Sequence, residues 1–286
     1  MNYLRHFGLR ELPFNITPDT SFFFACRGIQ QALNTLLVAL SNGEGFIKIT
    51  GEVGTGKTLL CRKFLSTLGA GWASAYVPNP NLEPRSLLLA LAGEFSIPGE
   101  RLDPHRLEKE LVQRLLDLAR QGKRVVLCMD EAQAMPLATL ETVRLLTNLE
   151  TEKRKLMQVV LFGQPELDAR LASNSVRQIR QRITFQHRMG VLSRHEIADY
   201  IGHRLTIAGY SGPTLFSPPA IRAINGASRG VPRLVNILAN KSLLLVFGEG
   251  GRQVERNHVQ AAVDDTPAAF SRGWWWNRLR SSSAAD

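Results

Sequence analysis

No apolar run in the sequence approaches the roughly 18 residues that a transmembrane helix needs. The opening residues, Met1-Asn2-Tyr3-Leu4-Arg5-His6, lack the apolar centre of a secretory signal. Cysteine is scarce: Cys26, Cys61 and Cys128 are widely spaced, with no C-x-x-C pair and no Cys/His cluster. That pattern excludes a zinc site and a disulfide framework, so the three are expected as reduced, packed thiols in a cytosolic protein. Helix-turn-helix and zinc-finger signatures are missing, and no segment repeats.

What is present has an ordinary globular balance, 44% hydrophobic and 21% charged over 286 residues, enough for one large domain and a smaller one. The excess is of one sign. A net charge of +10 favours anionic partners: nucleic acid, an acidic protein or an anionic membrane surface.

The densest chemistry lies in Gly51-Glu52-Val53-Gly54-Thr55-Gly56-Lys57-Thr58, which fits the phosphate-loop pattern G-x-x-x-x-G-K-[ST]. Phe46 to Thr50 before it reads as a buried strand, and Leu59 to Leu68 after it as a helix. Three glycines let backbone N–H groups converge on an anion, and the following helix turns its positive end to the same point. Lys57 then reaches the β/γ-phosphates and the Thr58 hydroxyl serves Mg²⁺, so residues 51–59, Leu59 included, form the expected ATP-binding stretch.

A second strand is expected at Trp72 to Val77. The run Val125-Val126-Leu127-Cys128-Met129 reads as a strand buried on both faces of a parallel sheet, ending in Asp130-Glu131. Ligands gather at such strand ends. Asp130 is the candidate Mg²⁺ ligand and Glu131 the group that polarises the attacking water. Leu156 to Gly163 reads as another core strand tipped by Gln164, which either contacts the γ-phosphate and its water or satisfies its own turn; the neighbouring acidic strand favours the first. Val176 to Arg182 reads as a short basic helix running into a fifth strand at Ile183-Thr184-Phe185. Its arginines are either a solvated face or donors to a neighbour's nucleotide.

Four segments are expected. Residues 1–27 form an irregular aromatic leader, which either straps to the core or helps cover the nucleotide base; residues 28–190 form an α/β nucleotide-binding domain. Residues 191–265 are all-helical, opened by the capping box Ser193-x-x-Glu196, and residues 266–286 are a loose tail. Trp274-Trp275-Trp276 among arginines in that tail suit a membrane-interface contact, a partner hot spot, or a fold-back onto the helical domain.

The order of motifs resembles the AAA+ ATPases, and more narrowly the ExeA/general secretion pathway protein A family, including its short MshM-like forms that act in biogenesis of the mannose-sensitive haemagglutinin pilus. The residues that carry this are Phe7-Gly8-Leu9 with Pro13-Phe14, the loop 51–58, Asp130-Glu131-Ala132-Gln133, Leu161-Phe162-Gly163-Gln164-Pro165-Glu166-Leu167, Gln181-Arg182-Ile183 and Gly230-Val231-Pro232-Arg233. The resemblance implies an α/β fold of the P-loop NTPase (AAA+) type: a parallel sheet of order 5-1-4-3-2 flanked by helices, followed by an all-helical lid. It implies ATP and Mg²⁺ as cofactors and a homo-oligomer with nucleotide at subunit interfaces. It makes Gln164 the strand sensor, Arg233 the lid sensor at the γ-phosphate, Arg182 the first arginine-finger candidate and Arg180 the second, and it places Phe14 in the base pocket. It further implies a cytoplasmic ATPase, peripheral at the inner membrane, that serves pilus or secretion assembly proteins. Secretion-type members carry a membrane span and a peptidoglycan-binding domain without counterpart in residues 1–286, so wall binding is not carried over. Two other readings stay open: a DNA-dependent ATPase of the transposition-helper type, which keeps nucleic acid among the partners, and a nucleotide-bound scaffold with little hydrolysis.

Overall fold

The computed structural model describes residues 2–150, 155–173 and 176–270 of the chain; Trp274–Trp276 lie outside them. Packing divides the chain into two units, one made of residues 27–53 and 57–190, the other of residues 1–26, 54–56 and 191 onwards.

The first of these is a three-layer α/β unit. Its five strands are β1 (Phe46–Thr50), β2 (Trp72–Val77), β3 (Arg124–Met129), β4 (Gln158–Gly163) and β5 (Ile183–Arg188). They pair in parallel in the order β2-β3-β4-β1-β5, which is the order 5-1-4-3-2 read from the other edge. Alternation along each strand sends residues to opposite faces. Val125, Leu127, Met129, Val159 and Leu161 join one core with α4 (Pro84–Glu94), α5 (Pro104–Arg120) and α6 (Leu137–Leu146). Val126, Cys128, Val160, Phe162, Ile47 and Ile49 join the other with α2 (Arg27–Ser41) and α3 (Lys57–Thr67). Helices on both faces explain why the central strands β3 and β4 carry the unbroken apolar runs Val125–Met129 and Val159–Phe162. Cys61 and Cys128 are fully buried free thiols of that second core.

Strand β4 begins at Gln158 rather than Leu156. The Gln158 amide is buried and donates to the Leu40 and Glu44 carbonyls at 3.3 and 2.9 Å, which anchors the start of the strand. Two short helices, α7 (Glu166–Leu171) and α8 (Arg177–Arg182), lead from β4 to β5, and Lys48 of β1 is ion-paired with Asp168 of α7.

The other unit is helical: α9 (Arg194–Ile207), α10 (Pro218–Ser228), α11 (Pro232–Gly248) and α12 (Arg256–Asp264). Ser193 caps α9 through the expected reciprocal box with Glu196, and Ser217 caps α10 ahead of its prolines. The leader belongs to this unit and is not irregular throughout, because Asn2–Phe7 forms α1. The spacing of Tyr3 and Phe7 places both rings on one helix face, and both are buried; Tyr3 meets Phe247 edge-on at 6.1 Å. Downstream, Arg204 is 5% exposed and grips the leader: Nε donates to the Pro13 carbonyl at 2.5 Å and Nη2 to the Asn15 carbonyl at 3.1 Å. Its guanidinium lies 4.6 Å from the Phe22 ring centroid.

Gly230 ends the turn between α10 and α11 at φ +79°, and a Cβ there would fall 2.1 Å from the Leu192 carbonyl oxygen. Gly230→Ala therefore meets both left-handed strain and a backbone clash. It should destabilise the protein by at least ~1 kcal/mol and lower Tm by several degrees, whereas Gly248→Ala, where a Cβ meets nothing within 4 Å, should leave the melt near wild type.

Candidate functional site

Sheet order decides the site. Strand β4 lies between β3 and β1, with Thr50 opposite Gly163 and Met129 opposite Leu161. The residues that follow these strands, Gly51, Asp130 and Gln164, therefore emerge side by side at one end of the sheet.

The loop after β1 needs its glycines for geometry. Gly54 and Gly56 adopt φ +81° and +95°, which side-chain-bearing residues rarely adopt. Residues 54–56 pack with the helical unit, in which the Arg233 N–H donates to the Gly54 carbonyl at 3.2 Å and a Cβ on Gly54 would fall 2.6 Å from Arg233 Cβ. The Arg233 side chain itself is exposed.

Lys57 opens α3 and is buried. Its ammonium folds back on the loop, donating to the Gly51 carbonyl at 2.7 Å and the Glu52 carbonyl at 3.0 Å. Burial pushes its pKa down, and the nearby carboxylates of Glu131, Asp130, Glu52 and Glu166 oppose that shift. Thr58 Oγ1 donates to Asp130 Oδ2 at 2.5 Å. Asp130 is 2% exposed; burial raises its pKa, while the Thr58 hydroxyl and the Glu131 N–H, 3.0 Å from Oδ1, pull it down. The site thus holds a desolvated ammonium and a desolvated carboxylate. Its hydroxyl–carboxylate pair is a set of hard oxygen donors of the kind Mg²⁺ takes.

Glu131 sits in the left-handed conformation (φ 52°, ψ 37°), sparsely populated for a residue with a side chain. This kink ends β3 and starts the 3₁₀ turn Ala132–Ala134. Two amides then hold the Glu131 carboxylate: Gln133 Nε2 donates to Oε2 at 2.6 Å and Gln164 Nε2 donates to the same oxygen at 2.9 Å. The other end of the Gln133 amide accepts the Gln164 N–H at 3.0 Å. Gly163 permits this approach, since a Cβ there would come within 3.2 Å of Gln133 Oε1 and 2.7 Å of Leu167 Cδ2. Arg170 of α7 fastens the turn from behind, donating to the Gln133 carbonyl and, at 2.5 Å, to the Met135 carbonyl.

Lys57, Thr58, Asp130, Glu131 and Gln164 are therefore brought together. Gln133 and Arg170 join them, although sequence reasoning gave neither a role. Gln133 stood within the quoted Asp130–Gln133 run, but an amide whose partners come from two strand ends has no local signature. Arg170 acts on main-chain carbonyls, which no residue pattern records.

Other expected residues lie elsewhere. Arg182 is half-buried, with Nη1 3.4 Å from Thr147 Oγ1, whereas Arg180 is exposed and lines a cleft of about 680 Å³ beside Lys48 and Arg188. Phe14 is only 2% exposed, its ring edge-on to Phe216 at 5.8 Å within the helical unit. That ring offers no open face to a base and instead helps strap the leader down.

Comparison with known proteins agrees with this architecture. Residues 40–171 match a family model described as an AAA domain. The chain is 37% identical over 278 residues to the general secretion pathway protein A of Aeromonas hydrophila, a match covering 97% of this chain and 51% of that protein. The chain thus spans about half the length of this curated relative. Among solved structures it is similar to Cdc6p from Pyrobaculum aerophilum (TM-score 0.65, 19% identity, 85% of this chain and 70% of that one). It is also similar to the Aeropyrum pernix ORC2 protein (TM-score 0.64, 16% identity, 87% and 72%) and to the Thermotoga maritima RuvB branch migration motor (TM-score 0.56, 16% identity, 85% and 70%). At these identities the structural likeness speaks for the fold alone, and that fold is a P-loop α/β unit of the AAA type accompanied by a helical unit.

Proposed function

We propose that the chain is an ATPase that couples ATP binding and hydrolysis to the assembly of secretion or type IV pilus machinery at the inner membrane. The observation that carries the hydrolytic part is the Glu131 carboxylate, held by the Gln133 and Gln164 amides beside the buried Lys57 and Asp130. Triphosphate oxygens replace the Gly51 and Glu52 carbonyls as acceptors for the Lys57 ammonium, which is already desolvated and so attracts them strongly. Thr58 and Asp130 would hold Mg²⁺, which supplies charge neutralisation at the β- and γ-phosphates.

Glu131 accepts a proton from the attacking water, and Gln164 orients that water through the amide it now shares with the carboxylate. Both amides bind one carboxylate oxygen, Oε2, which leaves Oε1 as the acceptor for the proton of the attacking water. Arg180, exposed where Arg182 is engaged, is the better donor to a neighbouring subunit's nucleotide in a homo-oligomer, and Arg233 is the candidate second cation on the γ-phosphate. The secretion setting rests on the name of the relative reported above, and the pilus setting on the motif resemblance alone.

Three outcomes test this reading. Lys57→Ala should abolish binding of a fluorescent ATP analogue. Glu131→Gln should keep that binding while turnover falls by about 10²-fold or more; undiminished hydrolysis would remove Glu131 from the role of base. Arg170→Ala should leave nucleotide affinity within about twofold and lower kcat about tenfold, because it loosens the Gln133 turn without touching the phosphates, and Arg170→Lys should recover part of the loss. Turnover measured with duplex DNA and with anionic liposomes separates the settings: stimulation by DNA alone would replace the secretion or pilus role by a DNA-dependent one.

A further inference from the structure

We propose that the groove between α10 and α12 is a docking site for an acidic, partly apolar peptide segment of a partner protein. The groove is a cavity of about 620 Å³, within the size range of ligand pockets, and it is lined by residues of the helical unit, none of which is a candidate for the nucleotide site. Its floor is small and apolar: Ala223, Gly226 and Ala227 of α10. A Cβ on Gly226 would meet nothing within 4 Å, so the floor is open and an incoming side chain can descend to the helix backbone.

Two guanidiniums border this floor, Arg222 from α10 and Arg256 from α12. Among the described residues neither has a hydrogen bond or ion pair, and both are exposed. Arg256 stands in the first turn of α12, where the helix dipole disfavours a cation, and the neighbouring N-cap carboxylate of Glu255 is bound to the helix backbone and not to Arg256. Each acid nearby has a partner other than these arginines, and Asp264, which lines the groove, is the one that an incoming carboxylate must pass. Asp264 accepts from Gln260 Nε2 at 3.0 Å, Glu255 accepts from the Ser217 hydroxyl at 2.7 Å, and Asp265 is paired with Lys241 at 2.8 Å. One end is closed by Phe270, whose N–H donates to the Ala227 carbonyl at 2.9 Å and whose ring lies under the Arg229 guanidinium at 3.6 Å. A third cation thus overlooks an exposed aromatic face.

Charge complementarity selects the occupant. Guanidiniums without counter-ions accept carboxylates in bidentate fashion, and the apolar floor and Phe270 ring accept an aliphatic side chain between them. A nucleic-acid backbone fits less well. It needs a track of several phosphate contacts, whereas here two guanidiniums flank an apolar floor against which phosphates would lose water.

The test uses the full chain and a fluorescein-labelled octapeptide of alternating glutamate and leucine, read by anisotropy. Controls are the same peptide with lysine for glutamate and a labelled oligothymidylate. The glutamate peptide should bind at least about tenfold more tightly than either control. Arg222→Glu combined with Arg256→Glu should weaken it by about tenfold or more, and so should Gly226→Leu, which changes no charge but fills the floor. Gly226→Ala should bind nearly as wild type, and all variants should keep nucleotide binding; Gly226→Met replaces the leucine variant if its melt is altered. Failure of the wild type to bind the glutamate peptide, or binding that survives both floor-filling variants, would overturn the proposal. Tighter binding of the oligonucleotide, lost only on charge reversal, would overturn it in favour of a nucleic-acid surface.

Discussion

A buried ammonium and a buried carboxylate a few residues from the same strand ends are costly to maintain, and the α/β unit is arranged around that cost. Lys57 and Asp130 lose water because helices cover both faces of the sheet, and the layered core that strips them also fixes them. Each finds partial relief in its neighbours: loop carbonyls for the ammonium, a hydroxyl and an N–H for the carboxylate. Relief of that kind is easily exchanged for a ligand of opposite charge. The same desolvation that shifts Lys57 down and Asp130 up therefore makes the pair receptive to a phosphate and a divalent cation.

The order of strands brings this local chemistry beside the Glu131 carboxylate, the base of the proposed hydrolysis. Because β4 lies between β3 and β1, its tip meets both neighbours: Gln164 donates to Glu131, and the Gly163 carbonyl accepts the Gly51 N–H at 3.1 Å. The Gln133 amide completes a closed set of hydrogen bonds in which the Glu131 carboxylate, the Gln164 side chain and the Gln164 N–H share partners. Shared partners make the group act as a unit, so removing one member disturbs the others.

Much of this was legible in the sequence. Doubly buried parallel strands leave unbroken runs such as Val125 to Met129, and a phosphate loop demands its glycines at fixed offsets, so both are written locally. The resemblance supplied the strand order, and the pairing register shows the same order. What escaped was non-local. Nothing near Gln133 points to Gln164, 31 residues on, and nothing near Arg170 names the carbonyls it binds. The leader misled for another reason. Residues 1–27 read as irregular because Pro13 and Pro18 cannot sit inside a helix, yet α1 ends before either, and the Phe14 ring is consumed by packing against Phe216.

Arg204 has a consequence for how the protein tolerates change. The carbonyls it binds, at Pro13 and Asn15, belong to the main chain, so the lock does not depend on which side chains the leader carries there. The partner on α9 has no such latitude, because only a guanidinium presents a fork of donors that can reach two carbonyls while its plane lies over the Phe22 ring. The attachment is therefore one-sided at these two positions: residues 13 and 15 can change side chain around a fixed path, while the residue that holds them cannot.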